Sequence, residues 1–354
     1  MEFLFDYGLF LAKVATVVIA IVAVLVLAKL ANGKGGAAKG ELEVTDLSVQ
    51  YKETVSQFET HLFDESLLKA KHKSEKKAAK EKEKANQKAL KKSLKAGNKI
   101  ETKREPRLFV LDFNGSIDAK EVASLREEVT AILAIAVDGD EILLRLETGG
   151  GMVHGYGLAS SQLDRIKAAG IKLTISVDKV AASGGYMMAC IADAIIAAPF
   201  AIVGSIGVVA QLPNFNKLLK NNHIEFEQLT AGEYKRTLTM FGENSDKARE
   251  KFQQELEETH GLFKDFIHER RPELDLEKVA TGEHWFGKQA LELGLIDCIS
   301  TSDEYVTNAC KNREVLAVHY VKKKKLSDKL AGAAAQSADS VLMKMISRGQ
   351  RPIV

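Results

Sequence analysis

Ser183 stands in the run Val180-Ala-Ala-Ser-Gly-Gly-Tyr186, a hydroxyl among small residues with two glycines behind it. A serine so placed can act as a nucleophile if nearby backbone N–H groups are free to hold an oxyanion. It can equally be a helix N-cap followed by flexible glycines. Two further glycine turns flank it along the chain, Gly149-Gly150-Gly151 and Gly204-Ser205-Ile206-Gly207. Lys235 lies in the polar stretch Thr230-Ala-Gly-Glu-Tyr-Lys-Arg236. A lysine can take a serine proton only when its amine is neutral, which burial in an apolar cleft would bring about. By position alone it is one of 50 basic residues, and a surface role fits as well. The histidines His154, His223, His260, His268 and His284 show no HExxH or other ligand spacing, so no metal is expected. Gly149–Gly151 lacks the phosphate-loop spacing and no dinucleotide fingerprint is present, so no cofactor is expected either. The three cysteines form no CxxC pair and no disulfide framework.

The elements that must position these residues read as strands alternating with helices. Leu108–Phe113 is a strand ending in Asn114-Gly115, and 117–135 has helical periodicity. Glu141–Leu146 is a second strand, running into the triple glycine, with a helix over 158–169 after it. Ile171–Val177 is β-branched and leads to Ser183, and the apolar run Tyr186–Ala198 reads as a buried helix. This is an α/β pattern of parallel units, in which ligands gather at the carboxyl ends of the strands. The glycine turn at 149–151 and Ser183 both follow such ends. Asp193 and Pro199 interrupt the apolar stretch through Ala210, which therefore fits a soluble core better than a second membrane span. The helix Ala248–Ile267 carries Phe252, Leu256, Phe263 and Ile267 along one side, as packing on its own domain requires.

Outside this region the chain changes character. Residues 7–30 are almost uniformly apolar apart from Lys13, long enough for a transmembrane helix in contact with membrane lipid. Glu2 and Asp6 before it, and Lys29, Lys34 and Lys39 after it, fit an uncleaved anchor better than a signal peptide. The expected organisation is an N-terminal membrane anchor over 1–31, then a linker and lysine-rich helical or flexible segment over 32–105. A globular domain over 106–300 and a C-terminal extension over 301–354 follow. The lysine-rich run is a solvated helix, a tether or a basic arm on anionic lipid. Net charge is only +2 over 354 residues, so no nucleic-acid partner is expected.

Five pieces in order carry a family resemblance: Glu147–Gly157, Ala181–Tyr186, Gly204–Val208, Gly232–Lys235, and Thr281–Ala290 closing in Gly294-Leu-Ile-Asp297. Together they resemble the signal peptide peptidase A (protease IV) family of membrane serine peptidases. One departure is that Thr148-Gly149-Gly150-Gly151 stands where the family has Ser-Pro-Gly-Gly, and losing the proline should loosen that loop. The resemblance implies a ClpP/crotonase-like core of repeated β-β-α units and a Ser/Lys dyad. Ser183 matches the nucleophile, Lys235 the general base and Ser205 the residue orienting the lysine amine. The N–H groups of Gly150 and Gly184 match the oxyanion hole. It further implies a homo-oligomer, in which the base can come from a neighbouring subunit, and a bacterial inner-membrane location. Lysine bias places the catalytic domain in the cytoplasm, whereas a signal-peptide role suits the periplasmic face. The implied function is an endopeptidase acting on peptides or proteins in or near the membrane, signal-peptide remnants among them. An extended substrate would pair near Gly151, Met152 and Val153. A crotonase-fold acyl-CoA enzyme or a non-catalytic membrane scaffold is the alternative, and neither needs Lys235 beside Ser183.

Overall fold

The computed structural model describes residues 7–18, 21–22, 40–71, a few positions between 73 and 84, and 105–322. The chain divides into two compact units, residues 43–319 and the two ends, 1–42 with 320–354. Residues 7–18 and 21–22 are helical, and among the described residues no helix is long and apolar enough to cross a membrane. Most of the remainder of the expected anchor, and much of the lysine-rich run, lies outside the described residues.

The elements in chain order are β1 (Glu41–Asp46), α1 (Leu47–Leu62), β2 (Leu108–Asn114), α2 (Val122–Ile135), β3 (Glu141–Glu147) and α3 (Val153–Ala168). Next come β4 (Lys172–Val177), β5 (Val180–Ala182), α4 (Gly184–Ala189), β6 (Ala194–Ala197), β7 (Ile202–Gly204) and α5 (Asn216–Asn221). The last are α6 (Asp246–Arg270), α7 (Leu276–Val279), β8 (His284–Phe286), α8 (Gly287–Glu292), β9 (Cys298–Ile299), α9 (Ser302–Cys310) and β10 (Val315–Val321). The large sheet has the order β1-β10-β2-β3-β4-β6-β9, and its pairs from β10 to β9 are parallel.

Both faces of this sheet are covered, which is why its central strands are apolar almost without interruption. Phe109, Leu111 and Phe113 of β2 are buried on one face with Val122, Leu125 and Val129 of α2 and Leu163 of α3. The alternate residues Leu108 and Val110 are buried on the other face with Ala309 and Cys310 of α9 and Val315 of β10. Burying each such large side chain contributes about 1.5–3 kcal/mol.

A second, smaller sheet has the order β5-β7-β8, with β5 and β7 parallel and β8 antiparallel to β7. The chain alternates between the sheets: β4 lies in the large one and β5 in the small one, then β6 in the large and β7 in the small. This alternation corrects the sequence expectation for Tyr186–Ala198. The helix α4 stops at Ala189, and Ala194–Ala197 is the strand β6 paired with β4. A buried apolar run of that length has no period to tell helix from strand. Of the cysteines, Cys190 and Cys310 are buried and Cys298 is exposed on β9. Burial pushes the Cys190 thiol up to about 12.

Candidate active site

The register of the small sheet brings the three sequence turns together. Thr148 bridges to Ala181, Ala181 pairs with Val203, and Ala182 pairs with Gly204. The residues that follow, Gly149 and Gly150, Ser183, and Ser205, therefore leave three parallel segments side by side. Backbone bonds fix them: Thr148 N–H to Val180 O (2.9 Å), Ser183 N–H to Gly204 O (2.8 Å) and Ser205 N–H to Glu283 O (2.7 Å). The motif around Trp285 is thus structural, since β8 pairs β7 and Trp285 packs against Gly204. Asp297 is structural too: it accepts the Ile195 N–H (2.7 Å) and the Arg271 guanidinium (2.8 Å).

Ser183 has φ 52° and ψ −117°, a conformation that costs a residue with a side chain about 1–3 kcal/mol. It immediately precedes α4, yet its side chain makes no capping hydrogen bond. The capping explanation for this serine is thereby removed, and Ser183 lines a cleft of about 800 Å³ together with Gly150, Gly184 and Ser205. Gly184 is the first helical residue, whose N–H has no intrahelical acceptor. Gly150 has φ 84°, and a methyl group there would lie 2.7 Å from the Gly184 nitrogen and 2.8 Å from Ser183 Cβ. Only glycine allows the two turns to approach this closely.

Beneath the turns lies a polar network that the sequence did not single out. The buried Tyr156 donates to Ser116 O (2.9 Å) and shares a hydrogen bond with Thr148 Oγ1. Thr148 Oγ1 in turn accepts the Gly150 N–H (3.1 Å). The Gly150 donor is therefore held by Thr148 and must swing from it to meet an oxyanion. Burial raises the Tyr156 phenol above its ordinary value.

Lys235 is elsewhere. Its side chain is exposed and borders a separate depression with Leu212, Leu229 and Met240, and it does not line the Ser183 cleft. The expected burial beside Ser183 does not occur within one chain. After β7 the chain does not rejoin a sheet until β8, only the six-residue α5 lies between β7 and α6, and nothing in residues 207–245 is fully buried. The turn itself is anchored: Glu233 pairs with Lys247 (2.5 Å), and Lys247 and Lys251 lie 6.0 and 5.6 Å from the centre of the Tyr234 ring.

The rest of the cleft is mostly apolar, with Ile117, Met152, Val153, Met187, Val208, Val209 and Phe263 on its walls. Met152 and Val153 are half-exposed there, but the Met152 N–H is donated to Ile117 O (2.8 Å) and Val153 opens α3. These residues offer side chains to a ligand, while the Met152 N–H is not free to pair with an extended substrate. His260 and Thr259 of α6 also line the cleft. No ligand spacing marks His260 in the sequence. The readable signal was its position on the stripe Phe252, Leu256, Phe263, Ile267, four residues after Leu256 and three before Phe263.

The family model Peptidase family S49 N-terminal matches residues 2–163, and Peptidase family S49 matches residues 165–316. "Probable protease SohB" of Haemophilus influenzae is 49% identical over 350 residues, 99% of this chain and 98% of the relative. The chain belongs to peptidase family S49. Two proteins of the same description from Buchnera aphidicola agree, one 50% identical over 345 residues and one 50% identical over 307. They cover 98% and 86% of this chain, and 98% and 99% of their own lengths. This S49 chain is a serine-type peptidase, and the acyl-CoA and scaffold alternatives fall away.

Proposed function

We propose that the chain is a membrane-anchored serine endopeptidase with a ClpP/crotonase-like core, whose dyad of Ser183 and Lys235 is completed between subunits. The observation that carries this is the strained Ser183, uncapped and aligned with Gly150, Gly184 and Ser205 at one cleft. Strain of this kind persists where a side chain must be aimed. The exposure of Lys235 in a polar turn, beside exposed apolar neighbours such as Leu212, Leu229 and Met240, supports a base offered to a neighbouring copy.

In the reaction, neutral Lys235 Nζ takes the Ser183 hydroxyl proton as Oγ attacks the scissile carbonyl carbon. The oxyanion that forms is met by the Gly184 N–H and by the Gly150 N–H once it leaves Thr148 Oγ1. Collapse breaks the C–N bond, the departing amine takes the proton from Lys235, and water then releases the acyl group from Ser183. Ser205, next to Ser183 across the β5–β7 register, orients the incoming lysine amine. The apolar walls select small or apolar side chains, as peptides in or near the membrane carry, with residues 7–30 as the anchor.

Mixing two inactive variants tests the shared dyad. Ser183→Ala and Lys235→Ala proteins, dissociated together and reassembled, should recover a substantial fraction of the hydrolysis of an apolar peptide. Each variant alone stays inactive. If the mixture remains as inactive as its parts while wild type survives the same treatment, the dyad is not shared between subunits.

A further inference from the structure

We propose that His260 binds substrate, its imidazole Nε2 hydrogen-bonding the backbone amide of an apolar peptide held in the Ser183 cleft; this rests on the peptidase reading of that cleft. His260 lies on α6 among the residues that line the cleft, with Thr259 and Phe263. Its Nε2 is shut off from the cleft and has no hydrogen-bond partner among the described residues, so the imidazole must turn to present it to a ligand. A buried polar atom without a partner destabilises the free protein, so its partner is to be sought in what enters the cleft.

The character of the cleft says what that partner is. None of its lining residues is Asp, Glu, Lys or Arg, so nothing there would compensate a charged ligand. The side chains around it, Met187, Val208 and Phe263 among them, favour apolar groups. Within an apolar peptide the polar groups left to meet Nε2 are backbone amides. A neutral imidazole nitrogen can accept from an amide N–H or donate to a carbonyl, according to its tautomer. The two other buried unpartnered atoms, Ser160 Oγ and Arg270 Nε, do not line the cleft. Arg270 also holds Asp164 (2.9 Å) through another nitrogen.

Three substitutions test this, because glutamine places an amide nitrogen near the Nε2 position and asparagine near Nδ1. His260→Leu should raise KM for an apolar peptide about tenfold with little change in kcat, the loss of roughly one hydrogen bond. His260→Gln should recover most of the affinity and His260→Asn should not. Tm of the His260→Leu protein should equal or exceed that of wild type, since it loses an unpaired buried polar group. An unchanged KM in His260→Leu, or equal rescue by Asn and Gln, overturns the proposal. So does a fall in Tm with a loss of assembly mass by light scattering, which would make His260 a subunit contact. Fluorophosphonate labelling of Ser183 separates the two readings. Wild type and all three variants should label alike. An unlabelled wild type refutes the nucleophile itself, whereas normal labelling with an unmoved KM refutes His260 alone.

Discussion

At Ser183 the backbone has φ 52° and ψ −117°, values glycine adopts without penalty and other residues resist. The strain belongs to the Cβ, so alanine retains it and glycine releases it. Ser183→Ala should therefore keep wild-type stability to about 0.5 kcal/mol, whereas Ser183→Gly should gain about 1 kcal/mol after the entropy of the unfolded glycine is subtracted. Both should lose peptide hydrolysis. Calorimetry beside an activity assay decides it, and a Ser183→Gly protein less stable than wild type would contradict the strain argument. The turns at Gly150, Ser183 and Ser205 were legible in the sequence because small residues at strand ends mark sharp turns, whereas the roles given to Gly150 and Ser205 rest on the family resemblance. The absence of a capping bond at Ser183 was not, since capping and nucleophilic serines have the same local sequence. Tyr156 and Thr148 were equally hidden: they lie eight residues apart with a helix start between, and only the fold closes their contact.

Among the elements, β3, β4 and α9 meet at Glu141, at the opposite end of β3 from the triple glycine. Its buried carboxylate accepts from Thr174 Oγ1 (2.9 Å), Arg313 Nη2 (2.5 Å) and the Tyr305 hydroxyl, and pairs with Lys172 (3.0 Å). Desolvation alone would raise its pKa, but the bonds from Tyr305, Arg313 and Lys172 outweigh it and lower the group to about 2. A carboxylate depressed on folding stabilises the native state above its ordinary pKa, and that contribution is lost as pH falls from about 4.5 toward 2. Glu141→Gln should abolish this part of the acid sensitivity and destabilise the protein at neutral pH by about 3 kcal/mol, because Arg313 loses its buried counter-charge. Denaturant titrations across that pH range would show it, and a Glu141→Gln protein with the wild-type pH slope would refute it. Strands β2, β3 and β4 could be read from sequence because burial on both faces leaves a continuous apolar run. The short strands β5, β7 and β8 could not: three residues carry no period, and their pairing depends on partners up to 84 residues away.

For the molecule as a whole, the segment after β7 presents a run of exposed apolar residues. Leu229 is 94% exposed and Val209 81%, with Leu218 and Ile224 more than half exposed. Helix α6 adds to it, since only Phe263 and Ile267 of its apolar stripe are fully buried. Single exposed apolar residues are ordinary, but a run of them beside Lys235 fits a contact between copies. Leu229→Asp should lower the assembly mass by light scattering in mild detergent and abolish hydrolysis, leaving the Tm of the protomer within about 2 °C of wild type, as surface changes do. An active monomer would end both the shared dyad and the oligomer. Under this proposal no reading of one chain could locate the contact, because the groups it would join belong to different copies.

The contrast among the three cysteines makes the protein its own reporter. Cys298 is exposed on β9, while Cys190 and Cys310 are shielded, with burial raising both thiols. A thiol-selective dye added to the native protein therefore finds one position per chain, with no engineered site and no residue of the cleft modified. Fluorescence from that position can follow association of the chains as it happens, and the two silent thiols emerge only when the core opens.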